Sequence, residues 1–342
     1  MDETPFVKLV GMSTFGVNIL PYLKRRDAIV LNKVNSVLSD GIRRNTWLHY
    51  ADVSRIISTH ELTHTERVPH FPVIHGLTLT PDESLLLACD MFNGCVLVFN
   101  ARDGSYIRKL HAPHVYDVAV VPQTGQVLVV NKKDSIVHVL AGLDNDTVIK
   151  NLGSGKGDGP LHLLQPTGID VLDGEDGPVA VIANTKNNRL TLFRVDDGTL
   201  VRNIGELGTG VGQFKQPFAV KVVPVSITGT EPWLAVAEGM NQRVQVLTST
   251  GVSIYTLAPP YQLSYCLYGL CISNNELFVS DNSRHRVVSW RLSDGGGFRE
   301  VCKETDTLKY PCPDGIAISK DGERLWMADS TINNRLCLFH LS

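Results

Sequence analysis

Short apolar runs separated by turn residues recur along the chain, and the same order of runs returns six times. The first run of each unit is His75-Gly76-Leu77-Thr78-Leu79, Tyr116-Asp117-Val118-Ala119-Val120, Thr167-Gly168-Ile169-Asp170-Val171, Phe218-Ala219-Val220-Lys221-Val222, Tyr268-Gly269-Leu270-Cys271-Ile272 and Asp314-Gly315-Ile316-Ala317-Ile318. Their second positions are spaced by 41, 51, 51, 50 and 46 residues. A second run follows in each unit and closes on a small residue and a polar one: Cys89-Asp90, Val130-Asn131, Ala183-Asn184, Ala237-Glu238, Ser280-Asp281 and Ala328-Asp329. A third opens after a turn at Cys95, Ile136, Arg189, Arg243, Arg286 and Arg335. Alternating polarity with β-branched and aromatic enrichment predicts strands throughout.

Units of this length with three or four short strands, and without long amphipathic runs, predict an all-β, six-bladed β-propeller. The sixth unit ends just after its third strand, one strand short. The unassigned β-like stretch Ser54–Leu62 is expected to close the ring as the outer strand of blade six, which divides the chain into a propeller over 54–342 and a segment over 1–50. From Phe15 to Trp47 the apolar spacing is helical, interrupted near Pro21 and Gly41, and predicts two or three short helices.

Three motifs characteristic of one propeller class stand in this frame. They are Asn188-Arg189, Asn241-Gln242-Arg243 and Asn333-Asn334-Arg335 at the third strands, the linker Gly210-Val211-Gly212-Gln213-Phe214-Lys215-Gln216-Pro217, and Gly155-Lys156-Gly157 with Leu164-Gln165-Pro166. In these the chain resembles the NHL repeat family, with the motif clearest in blades three to six and faint at Asn93-Gly94-Cys95 and Asp134-Ser135-Ile136. In the N-terminal segment, residues 19–35 resemble the middle of an F-box, the helical motif that docks on the linker subunit of cullin ubiquitin ligases; its upstream Leu-Pro pair is missing. That resemblance implies partner contacts from Ile19, Leu20, Leu23, Ile29 and Val34. A plain helical cap is the competing reading.

Charge alters the picture little. With 32 basic and 35 acidic residues, net −3, there is no global attraction to nucleic acid or an anionic membrane. No apolar run reaches the roughly 20 residues of a membrane span, so no membrane partner is expected, and the location expected is cytoplasmic or nuclear. Seven cysteines, odd in number and without a Cys-x-x-Cys pair, read as reduced thiols of the core.

Several motifs suggest chemistry and fail on context. His60-Glu61-Leu62-Thr63-His64 matches the zinc-protease pattern, which needs a helix to put both histidines on one face, yet this stretch is β-branched and is needed in blade six. Gly153-Ser154-Gly155-Lys156-Gly157 lacks the Ser or Thr and the helix of a phosphate-binding loop. Asp170, Asp173, Glu175 and Asp176 do not have the spacing of a calcium loop.

Propellers commonly place function at one mouth of the axial channel. Two rings are expected to converge there: His75, Tyr116 or Asp117, Thr167, Phe218, Tyr268 and Asp314 from the starts of the inner strands, and Asp90, Asn131, Asn184, Glu238, Asp281 and Asp329 from the ends of the second strands. The alternative for the second ring is turn capping, in which Asx side chains bond local backbone. The function expected is a non-enzymatic scaffold or adaptor binding a protein partner, with no cofactor, no metal and no catalytic residue assigned, and compatible with a place in a larger complex. If the F-box resemblance holds, it is a substrate adaptor of a ubiquitin ligase.

Two alternatives follow from relatives of the NHL class. RNA binding is implied by a basic top surface; Lys132, Lys133, Lys186, Arg284 and His285 qualify, but Asp134, Glu238, Asp281 and Asp329 mix the sign of that face. A metal-dependent lyase or lactonase needs histidines or a Glu, Asn and Asp set around an axial ion, and His75 is the only histidine of the inner ring.

Overall fold

A computed structural model describes residues 53–57, 73–257, 266–302, 311–330 and 335–341, with the backbone alone for 53–57. The described residues form six four-stranded antiparallel sheets. Blade one holds β2 (Ile74–Leu79), β3 (Leu85–Asp90), β4 (Cys95–Asn100) and β5 (Tyr106–His111), in that spatial order. Blade two is β6 (Val115–Val120), β7 (Val127–Asn131), β8 (Ile136–Gly142) and β9 (Asn145–Leu152). Blade three is β10 (Ile169–Gly174), β11 (Gly177–Asn184), β12 (Arg189–Arg194) and β13 (Leu200–Ile204). Blade four is β14 (Pro217–Val223), β15 (Trp233–Glu238), β16 (Arg243–Thr248) and β17 (Ser253–Leu257), and blade five is β18 (Leu267–Ser273), β19 (Glu276–Asp281), β20 (Arg286–Arg291) and β21 (Arg299–Cys302).

Blade six combines both ends of the described chain. β22 (Pro313–Ile318), β23 (Arg324–Asp329) and β24 (Arg335–His340) are completed by β1 (Val53–Ile57), which lies antiparallel to β24 with Ile57 opposite Leu336 and Val53 opposite Phe339. The fold is a six-bladed β-propeller, as the repeat predicts. The described part of the closing strand, Val53–Ile57, overlaps the expected stretch Ser54–Leu62, and His60 to His64 lie outside the described residues, as do Ile19, Leu20, Leu23, Ile29 and Val34.

Six apolar clusters hold the ring, one between each pair of neighbouring blades. Leu87 and Val98 meet Val118 and Val129; Val130 and Val139 meet Ile169 and Ile182; Val181 and Leu192 meet Val236 and Leu247. Val244 and Leu257 meet Leu277 and Trp290, Phe278 and Val287 meet Met327 and Phe339, and Trp326 and Leu338 meet Leu86 and Phe99 across the closure. In blade one the second and third strands are therefore apolar and buried on both faces, whereas the outer strand β5 alternates. That is why the outer strands carry the weakest sequence signal.

Near the axis the inner strands come so close that side chains are excluded. A Cβ on Gly168 would sit 2.7 Å from both the Ala219 Cα and the Phe218 carbonyl oxygen, and one on Gly269 would sit 2.5 Å from the Asp314 carbonyl oxygen. Gly76 and Gly315 are cradled in the same way, which explains the glycine at the second position of four inner strands. The turn into the third strand also has one geometry in the five blades where it is described: Gly94, Ser135, Asn188, Gln242 and His285 all have φ between 53° and 61°. Blades one and two thus follow the plan of the others although their Asn-x-Arg motif has faded.

Candidate functional site

The first-position residues of the inner strands meet around one axial cavity. His75, Tyr116, Thr167, Phe218, Tyr268 and Asp314 line it, with Asp117 and Lys221 beside them. His75 and Tyr116 stack with ring centroids 4.6 Å apart and 17° between planes, while Phe218 and Tyr268 meet edge to face at 5.2 Å. His75 Nδ1 lies 3.1 Å from Asp314 Oδ2, and Asp314 Oδ1 accepts a hydrogen bond from Asn282 Nδ2 at 2.8 Å. Thr167 is engaged through its hydroxyl, which donates to the Phe218 carbonyl at 2.5 Å. Burial raises the Tyr116 and Tyr268 hydroxyls well above the usual tyrosine range, with the neighbouring Asp314 carboxylate adding to both shifts.

Asp117 and Lys221 of the cavity lining, with Asp170 behind them, form a charged set drawn from three blades. The Asp117 carboxylate accepts the Ile169 N–H at 3.1 Å, and burial pushes its pKa up to about 6 against the opposing pull of Lys221. Lys221 Nζ lies 3.7 Å from Asp170 Oδ1, and Asp170 Oδ2 accepts the Val222 N–H at 2.8 Å. Burial works against the Lys221 charge, but the carboxylates of Asp170 and Asp117 outweigh it and hold the ammonium above the usual lysine range. Sequence reading passes over Lys221 because it stands at the fourth position of its strand.

Asp90, Asn131, Asn184, Glu238, Asp281 and Asp329 do not line this cavity. They are buried at the ends of the second strands and bind the chain around them. Asp90 accepts the Val73 N–H, Asn184 the Leu164 N–H, Glu238 the Lys215 N–H and Asp329 the Cys312 N–H, each tying in the segment that leads to its own inner strand. Asn131 accepts the Asp134 N–H within its own turn. Glu238, Asp281 and Asp329 are also paired with Arg243, Arg286 and Arg335 at 2.7, 2.9 and 2.7 Å. Arg189 and Arg243 reach the linker carbonyls of Gly159 and of Thr209 and Gly210, so the repeated arginines brace linkers and their own blades.

Three of the four acids expected to mix the sign of the mouth are withdrawn from it, while Asp134 stays exposed in the turn of Lys132 and Lys133. The carboxylates of Glu238, Asp281 and Asp329 have no exposed surface and are neutralised by arginine, so they do not offset the lysines of the adjacent turns. It is the residue after each of those polar positions that reaches the mouth: Thr185 Oγ1 is 2.6 Å from Thr167 Oγ1, Asn282 bonds Asp314, and Lys132 places its Nζ 3.9 Å from the centroid of the Tyr116 ring. Thr185 and Asn282 are missed by the sequence reading, one register position away from the residues it selects.

The acidic cluster of blade three is likewise dispersed. Asp170 turns to Lys221, Asp173 accepts from Gln123 Nε2, and Asp176 pairs with Arg194. Among the described residues no three His, Cys, Asp or Glu side chains converge on a point that could hold a metal ion.

No protein-family model matches the chain, and no curated protein matches it. Among solved structures it is similar in fold to a chain of Kuenenia stuttgartiensis hydrazine synthase, with a TM-score of 0.55 and 15% identity over 79% of this chain and 96% of that one. It is similar also to the streptogramin B lyase structure, with a TM-score of 0.54 and 13% identity over 84% of this chain and 98% of that one. At such identities the likeness defines the class of fold, a β-propeller, and carries no activity across.

Proposed function

We propose that the protein is a non-enzymatic interaction module that docks a protein partner over the face bearing the axial mouth. The observation carrying this reading is the set of large apolar side chains exposed there: Phe92 (65%) and Met240 (39%) in the turns between second and third strands, and Leu161, Leu207 and Val211 in the linkers between blades. Turns and linkers share this face, since Asn241 Nδ2 donates to the Gly208 carbonyl and Asn187 Nδ2 to that of Gly157. Large apolar side chains exposed on one face are characteristic of partner surfaces. Glu238, Asp281 and Asp329, the carboxylates at the ends of the second strands, are held in arginine pairs.

The reading extends to finer assignments. The Arg189 and Arg243 contacts to the linkers support an NHL-type propeller, and the seven cysteines, none of them joined in a disulfide, support a reducing, cytoplasmic or nuclear setting. Among the described residues no helix is long and apolar enough to cross a membrane. Residues 1–50 would form a separate docking element for a ligase linker through Ile19, Leu20, Leu23, Ile29 and Val34, a role resting on their F-box resemblance.

Full-length protein and its Leu207→Asp/Val211→Asp variant, compared by crosslinking and co-purification, test the docking face. The expected result is loss of the partners held by the unaltered protein with no change in melting temperature; retention of the same partners refutes the reading. Micromolar binding of the ligase linker to the full chain, and its absence with residues 51–342 alone, tests the docking element.

RNA is the second reading. It is favoured by the neutralisation of Glu238, Asp281 and Asp329, which leaves Lys132, Lys133 and Lys186 uncompensated by those three acids.

A further inference from the structure

Lys132 occupies a position that carries no charge in any other blade. The equivalent residues are Met91, Thr185, Gly239, Asn282 and Ser330, and three of them hydrogen-bond the strand starts around the mouth: Thr185 to Thr167, Asn282 to Asp314, and Ser330 to the Cys312 carbonyl. Lys132 instead lays its half-buried ammonium on the Tyr116 ring. Among the described residues neither Lys132 nor Lys186, contributed by the next blade, forms an ion pair. Lys133 adds a third ammonium, 3.3 Å from His114 Nε2.

Such a group is electrostatically incomplete. Burial, and after it the Lys186 charge, pushes the Lys132 pKa down to about 8, so the protein supplies part of the desolvation cost of a cation without supplying the anion that would offset it. An anion arriving with a ligand would lower that cost and would be held in a partly desolvated place, where a charge-assisted hydrogen bond is strong.

The surroundings distinguish the kinds of anion. Single-stranded nucleic acid gains much of its binding from bases stacked on open aromatic faces. Here Tyr116 is covered on both sides, by His75 at 4.6 Å and Lys132 at 3.9 Å, because two groups that close cannot share one face. Phe218 and Tyr268 are packed edge to face inside the cavity. In the corresponding turn of the adjacent blade the exposed side chain is apolar, Phe92.

We infer that the partner's docking segment is an acidic peptide, an Asp or Glu carboxylate of which sits between Lys132 and Lys186 while a neighbouring apolar residue meets Phe92. This rests on the proposed docking face and adds the chemistry of its occupant. Electrostatic complementarity of this kind would set orientation and association rate, with the apolar contacts supplying most of the affinity.

The test uses the full-length protein and three labelled probes read by fluorescence anisotropy: a Glu-rich dodecapeptide containing one Leu, the same peptide with Gln for every Glu, and oligouridylate of the same length. The Glu peptide is expected to bind more tightly than the Gln peptide, to weaken with added salt, and to protect Lys132 from acetylation as read by mass spectrometry. The double variant K132Q/K186Q is expected to weaken the Glu peptide by about fivefold or more, while Lys109→Gln, on the outer strand β5, leaves it unchanged. Equal binding of the Glu and Gln peptides, or an unaffected double variant, overturns the inference. Tighter binding of oligouridylate that is lost in K132Q/K186Q assigns the lysines to RNA and overturns it as well. If the Glu peptide fails while Leu207→Asp/Val211→Asp still releases the partners, the docking face stands and only the acidic occupant is refuted.

Discussion

The Asp117 carboxylate accepts the backbone N–H of Ile169 at 3.1 Å, joining blades two and three beside the axial cavity at a position where four other blades have glycine. Burial is the main reason its pKa rises from 3.8 to about 6, and Lys221 offsets only part of the effect. Below pH 4 the folded and unfolded chains both carry the proton. As pH rises, the unfolded chain releases it first, so stability from this group is lost progressively up to and just beyond pH 6. A shift of this size corresponds to about 3 kcal/mol as an upper bound. Asp117→Asn is therefore expected to gain about 1–3 kcal/mol on the unaltered protein between pH 4 and pH 7. Urea unfolding of both proteins across that range checks it, and parallel curves would show that the carboxylate is ionised at no cost.

Gly269→Ala would bring a methyl group to 2.5 Å from the Asp314 carbonyl oxygen and 2.9 Å from the Ile316 nitrogen, both backbone atoms of the next blade. Neither can move without shifting an inner strand. A loss of about 2 kcal/mol or more is expected from overpacking. Ala219→Gly, at the equivalent position of blade four, is expected to cost only about 1 kcal/mol. Chemical denaturation of the pair provides the comparison.

Glu238 accepts four hydrogen bonds, from the Lys215 N–H, Asn241 Nδ2, Arg243 Nε and Gln245 Nε2. Glu238→Gln places an amide donor among donors and leaves the Arg243 guanidinium without its carboxylate. The expected cost is about 3 kcal/mol, typical of a broken buried pair. Glu238→Gln combined with Arg243→Met should recover part of it, measurable as a double-mutant cycle in urea.

β1 supplies the outer strand of blade six by pairing with β24. A chain beginning at residue 51 keeps that strand and is expected to melt within a few degrees of the full-length protein. One beginning at residue 64 lacks it, bares the β24 edge and is expected to melt more than about 10 °C lower or to aggregate. Thermal melts followed by circular dichroism distinguish the two. Equal melting of both would show that the strand from the N-terminal side does not hold the ring closed.

The repeat, the order of strands within each blade and the closure by a strand from the N-terminal side are legible in the sequence because they rest on local periodicity and on one turn geometry. Even where Asn-x-Arg has faded to Asn93-Gly94-Cys95 and Asp134-Ser135-Ile136, a residue able to adopt positive φ remains in place. The inner ring from His75 to Asp314 is legible for the same reason: the first residue after the turn points to the axis in every blade.

Tertiary structure decided what each polar residue does. Asp90, Asn184, Glu238 and Asp329 look like part of a mouth ring in sequence, but they bind the chain leading into their own inner strands, while Thr185 and Asn282, one residue after Asn184 and Asp281, reach the mouth as Lys132 does. The second strands end at Asn131, Asn184 and Asp281 and the next residue opens a turn, and a repeat cannot say which of the two neighbours meets the axis. The pairing of Lys221 with Asp170 and Asp117 joins residues 51 and 104 positions apart on separate blades, so it exists only once blades two to four pack together.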